Sequence, residues 1–152
     1  MKTKIHKLTS LPIFPTSSLE KNTEQSYIKT RDGIQLYCPQ PWNELGWPDI
    51  NFFGNGCGVN NGWKIDLVPD AILGCYIGEA CNIHDLMYHM GTTSKDKYLA
   101  DYTFLNNIIR LINGRTTNWV AKIFLKSIRK HLGYTYYIAV QKFGDPAFWN
   151  KR

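Results

Sequence analysis

The tightest constraint on this fold is a short joint, "GTTS" at residues 91–94, lying between two stretches with helical apolar periodicity. Helices joined by so short a connection must turn back and pack antiparallel. The first runs from about Ile77 to Met90, with Ile77, Cys81, His84 and Tyr88 on one face and Ala80 and Met87 beside them. Gly91 stands where a C′ glycine would end it. The second is capped by Thr93 or Ser94 and continues to Asn113 and Gly114. Its expected buried stripe is Tyr98, Asp101, Tyr102, Leu105, Ile108, Ile109 and Ile112. A third pattern begins after Thr116 or Thr117 and carries Trp119, Ile123, Ile128, Leu132, Tyr136 and Val140 toward Phe143, with Gly133 placed to bend or split it. The chain therefore reads as mainly α: two antiparallel helices, a third C-terminal helix and an irregular N-terminal segment.

The front of the chain lacks such periodicity. Pro12, Pro15, Pro39, Pro41 and Pro48 interrupt it, so residues 1–30 read as an irregular leader and 31–152 as one domain. "GIQLYC" (33–38) alternates like a short strand. "NFFGNGCGVNNGW" (51–63) places Gly54, Gly56, Gly58 and Gly62 among asparagines, the composition of a loop with accessible backbone carbonyls.

A chain of 152 residues with 43% apolar content suffices for one core. No run approaches the roughly 18 apolar residues of a membrane-spanning helix, and the first residues lack the apolar stretch of a secretory signal. The net charge of +6 is unevenly distributed. Residues 31–93 are acidic, and from Ser94 onward the chain is strongly basic. A basic half attracts anionic lipid or nucleic acid. No nucleic-acid motif accompanies it, so no nucleic-acid partner is expected. The four cysteines, Cys38, Cys57, Cys75 and Cys81, show no C-x2-C spacing and leave free thiols or two disulfides open.

Two polar residues lie on apolar stripes. A buried carboxylate without a partner costs several kcal/mol, so Asp101 should find a hydrogen-bonding group. His84, across the hairpin, is the natural one. An Asp holding one imidazole nitrogen leaves the other able to act as a general base. Asp85 points about 100° away around the helix. With carbonyls of the Gly/Asn loop it could hold a hard cation such as calcium.

These residues resemble the phospholipase A2 family. "CNIHDLMY" looks like its C-x-x-H-D-x-x-Y signature, "GNGCGVNNG" its calcium loop, and "ADYTFLNNI" (100–108) its second-helix motif. The likeness covers roughly residues 53–110 and is nearest the short prokaryotic and viral branch. It implies calcium-dependent hydrolysis of the sn-2 ester of glycerophospholipids at an anionic membrane surface. His84 would deprotonate the attacking water, Asp101 would orient His84, and Tyr88 would hydrogen-bond Asp101. Asp85 would bind Ca2+ with carbonyls near Gly56, Gly58 and Asn60, and a loop amide from Gly58 would face the oxyanion. Cys57 and Cys81 would form the loop-to-helix disulfide, leaving Cys38 and Cys75 as an optional second pair with no motif behind it.

The sequence departs from the family in several places. Asn60 stands where the family usually has glycine, and about 27 residues separate Cys57 from His84, more than in the animal enzymes. The C-terminal aromatics Tyr134, Tyr136, Tyr137, Phe143, Phe148 and Trp149 are expected mainly in the core. The alternative class is a catalytically inactive scaffold of a virion or secretion system that keeps the fold. An HD-type phosphohydrolase needs an earlier metal-binding His, and only His6 precedes His84. A zinc site on Cys81 and His84 leaves the Gly/Asn loop without a purpose.

Overall fold

The computed structural model describes residues 26–40, 42–54 and 69–150. The described chain is mainly helical, and its two small sheets are ribbons laid against the helices. Ser26–Lys29 (β1) pairs antiparallel with Gln35–Cys38 (β2), Ser26 opposite Cys38 and Lys29 opposite Gln35. β2 lies within the stretch read as a strand. β1 corrects the reading of an irregular leader: four residues are too few to display alternation, and their order comes from the partner strand. The other edge of β2 meets a side chain. Asn107, fully buried on a helix, accepts from the Tyr37 amide at 2.8 Å and donates to the Tyr37 carbonyl at 2.9 Å, as a third strand would.

Two short helices follow, Trp42–Leu45 (α1) and Trp47–Phe53 (α2), the second with Pro48 in its first turn, where no amide is required. Asn51 to Phe53, read as the start of a loop, form the last turn of α2. Most of that loop, including Gly56, Gly58 and Asn60, lies outside the described residues. Ala71–Ile72 (β3) and Cys75–Tyr76 (β4) make a hairpin whose turn residues, Leu73 and Gly74, have φ of 47° and 78°. Two consecutive left-handed residues match the right-handed twist of the flanking strands.

Gly78–Met90 (α3) and Ser94–Arg115 (α4) form the hairpin expected from the short joint. Thr93 is the cap: its hydroxyl accepts from the Asp96 amide at 3.2 Å, and the Asp96 carboxylate accepts from the Thr93 and Thr92 amides at 3.0 and 2.9 Å. Gly91 does not serve as a left-handed terminator, since its φ is −68°. A Cβ there would collide with the Phe148 ring and the Asp96 side chain, so close packing explains the glycine. At the far end, Arg115 ties three segments together. It donates to Asp32 at 2.8 and 2.9 Å, to Glu79 at 2.7 and 2.9 Å and to the Tyr76 carbonyl at 2.6 Å. The end of α4 is thus fixed to the start of α3.

All the residues expected on the first helical face are buried. The face of α4 is displaced from expectation: Tyr98, Tyr102 and Ile109 are half-buried, whereas Lys97, Ala100, Phe104, Asn107 and Leu111 are buried with Asp101. The cause is that α4 packs on α3, on β2 and on a further helix at once, so no single stripe describes it. That further helix, Trp119–Phe143 (α5), is capped by the Asn118 side chain and runs unbroken through Gly133. Gly133 faces Ile108 of α4, and a Cβ would stand 2.8 Å from that side chain, so its hydrogen lets the helices approach. Asp145–Trp149 (α6) then seats Phe148 against α3.

The C-terminal third departs most from expectation. Leu132, Tyr136 and Val140 pack against the core, but Trp119, Ile123 and Ile128 point to solvent. Of the six C-terminal aromatics only Phe148 is fully buried, and Tyr134, Phe143 and Trp149 are exposed. The packed face of α5 is set by Arg129 and Gly133, and this rotates its strongest apolar rows outward. Cys38 and Cys75 are buried free thiols, so the optional second disulfide is not formed. Burial raises both thiol pKa values, that of Cys38 to about 12, which leaves them protonated and inert at neutral pH.

Candidate active site

α3 and α4 bring His84 and Asp101 together. His84 Nε2 stands 2.9 Å from Asp101 Oδ1, with side chains only 8% and 2% exposed. The same oxygen accepts from the Tyr88 hydroxyl at 2.6 Å. His84 and Tyr88 are one helical turn apart, so both reach across the hairpin to one carboxylate. The imidazole is held between the rings of Tyr88 and Phe104, at centroid distances of 4.1 and 4.9 Å. The three residues expected to form the dyad and its support are therefore in mutual contact.

The carboxylate has a third partner that the sequence reading missed. Lys97 Nζ donates to Asp101 Oδ2 at 3.0 Å, lies 3.4 Å from Asp145 Oδ1, and reaches the Val140 and Gln141 carbonyls at 3.5 and 3.3 Å. Lys97 precedes Asp101 by four residues, the spacing of a helical ion pair, and that was the available signal. Composition alone shows it only as one of many cations in the basic half that begins at Ser94. Its burial follows from the end of α5 lying over the start of α4.

These contacts fix the proton positions. An ionised carboxylate only accepts, and Asp101 is held ionised: burial raises its pKa, but His84, Tyr88 and Lys97 together lower it below the ordinary aspartate range. His84 must then carry its hydrogen on Nε2, which leaves the Nδ1 lone pair unprotonated in the neutral ring. Nδ1 lies on the side of Asp85, 3.9 Å from Oδ1. That separation is too long for a hydrogen bond but close enough for charge attraction once the ring is protonated. Burial alone lowers the imidazole pKa; the hydrogen bond to Asp101 and the charges of Asp101 and Asp85 outweigh it, so the net shift is upward. Desolvation and the neighbouring Asp101 charge keep the Tyr88 hydroxyl protonated.

Asp85 is the one expected metal ligand within the described residues. Its side chain is 35% exposed at the edge of the dyad, compatible with an oxygen ligand at the surface of a site. Among the described residues no cluster of three or more His, Cys, Asp or Glu groups could hold an ion. Cys81 is disulfide-bonded, which removes it as a zinc ligand, and Cys57, the expected partner, lies outside the described residues.

The class of site is thus a buried His–Asp–Tyr cluster on a helical hairpin, with a second carboxylate at its rim. No protein-family model, curated protein or solved structure matches this chain.

Proposed function

We propose that the protein is a calcium-dependent hydrolase that cleaves the sn-2 ester of glycerophospholipids. The observation that supports this best is the 2.9 Å contact between His84 and Asp101, with Tyr88 on the same oxygen and Nδ1 turned toward Asp85. In this reading His84 Nδ1 takes a proton from water as that water attacks the ester carbonyl. Asp101 keeps the opposite nitrogen protonated and balances the imidazolium that forms, which gives the proton to the departing lysophospholipid oxygen as the acyl C–O bond breaks. Tyr88 fixes the rotamer of Asp101. Asp85 would contribute a carboxylate to calcium with carbonyls near Gly56, Gly58 and Asn60, and a disulfide between Cys57 and Cys81 would tie that loop to α3. Calcium held there would supply positive charge to polarise the carbonyl and stabilise the oxyanion. The proposal includes membership of the phospholipase A2 family and an anionic membrane as the surface on which the substrate is met.

Replacing His84 with Gln tests the reading. Hydrolysis should fall by about 100-fold or more, the usual contribution of a positioned base. Unchanged turnover would exclude His84 as the base. The raised imidazole pKa also has a consequence in the metal-free protein: the neutral ring predominates only above the ordinary value of about 6.5.

A second reading, a scaffold without turnover, is favoured by one observation. Lys97 sits 3.0 Å from Asp101 and opposes the negative charge that the imidazolium would need. A protein with normal folding, calcium binding and no hydrolysis would support it.

A further inference from the structure

The C-terminal helix has its apolar side outward. Trp119, Ile123 and Phe124 are 71%, 60% and 65% exposed, and Val120 and Ile128 continue the same face. On an α-helix residues four apart form rows. Val120, Phe124 and Ile128 form one row, Trp119 and Ile123 the next, and Lys122, Lys126 and Lys130 border them on the far side. Between Asp101 and Asp145 the chain carries no carboxylate at all. An apolar face bordered by lysines alone is the pattern of a helix lying in a membrane interface, the rings and aliphatic groups below the headgroups and the ammonium groups among them. No helix among the described residues is long and apolar enough to cross a bilayer.

We propose that the outward face of α5 between Trp119 and Ile128 is a docking surface for an anionic phospholipid membrane. A second copy of the chain fits worse, because pairing two such faces would set lysine rows against each other. Nucleic acid would satisfy the lysines but leave Ile123 and Ile128 in water. This face lies at the end of α4 marked by Thr116, which Arg129 of α5 contacts at 2.9 Å, and not at the Lys97 end beside the dyad. Docking and chemistry therefore occupy separate parts of the molecule. The inference rests on the lipid-hydrolase reading for the kind of surface that is met, but binding requires no turnover.

The test uses the full chain carrying His84→Gln, in chelator, sedimented with vesicles of phosphatidylcholine alone or with about one third phosphatidylserine. Binding should be confined to the anionic vesicles and weaken as salt rises. Replacing Lys122, Lys126 and Lys130 with Gln should weaken it about five-fold per lysine. Replacing Ile123 and Phe124 together with Ser should weaken it at least about ten-fold, by the apolar area withdrawn from the bilayer. Retained helical circular dichroism would show that these exposed substitutions leave the fold intact. No partition of the parent into anionic vesicles overturns the proposal, as does equal partition of the Ser variant. A dimer in sedimentation velocity that dissociates in the Ser variant also overturns it, in favour of a second copy. Failure of hydrolysis with retained binding would count against the enzyme and not against this surface.

Discussion

The α3–α4 hairpin and the first half of α5 invert each other. Inside the hairpin, His84, Lys97 and Asp101 are buried among Ile83, Leu86 and Phe104, and their charges meet one another. On α5, Trp119, Ile123 and Phe124 are left in solvent while Arg129 takes the buried position, donating to Thr116 at 2.9 Å and to the Leu73 carbonyl at 2.7 Å. Folding stability alone favours neither arrangement. A buried charge cluster is often no more stable than an apolar replacement, and an exposed apolar face gains nothing in a monomer. Where a fold tolerates polar residues inside and apolar residues outside, both regions invite a functional explanation, one chemical and one interfacial.

The contrast can be broken most forcefully at its polar end. Asp101→Ala would strand Lys97 without its buried partner, and leave the Tyr88 hydroxyl and the imidazole unmatched. A loss of about 3–5 kcal/mol in urea unfolding is expected. A loss below about 1 kcal/mol would mean that the cluster is not buried as described. Gly133→Val tests how closely α5 is held to α4. The added side chain meets Ile108, and about 1–3 kcal/mol should be lost to overpacking. At the exposed end, Phe124→Ser should change stability by no more than about 0.5 kcal/mol, as at other surface positions. A larger loss would place Phe124 in an intramolecular contact and remove the basis of the docking face.

Acid sharpens the comparison further. Asp96 is pushed up by burial, but the Thr92 and Thr93 amides outweigh this and hold its pKa below the ordinary value, as the Asp101 partners do. Lowered carboxylate values contribute stability that is present above the unfolded-state pKa, near 3.9, and lost as pH falls through the folded-state values. The urea midpoint should therefore fall below about pH 4. Asp96→Asn should flatten that fall, and an unaltered slope would contradict the capping role.

Much of the hairpin was legible in the sequence because its signals are local. A short joint, a capping Thr and a 3.6-residue period place His84, Tyr88 and Asp101 on facing sides without knowledge of the rest. The burial of Lys97 and Asn107 was illegible because each is covered by an element distant in sequence, the end of α5 for one and β2 for the other. Periodicity identified α5 as a helix but could not say which side packs. Its apolar rows face away from the core, and the buried side was signalled only by a glycine that allows close approach and an arginine that meets a distant carbonyl. β1 and the Leu73–Gly74 hairpin failed to register for a different reason: runs of two to four residues have no period to detect.

The central claim is tested most directly by following fatty acid released from phospholipid labelled at the sn-2 chain, in calcium and in chelator. Release that requires calcium and disappears in His84→Gln is the predicted result. Release that persists in chelator, or no release from the folded parent with calcium present, would contradict it.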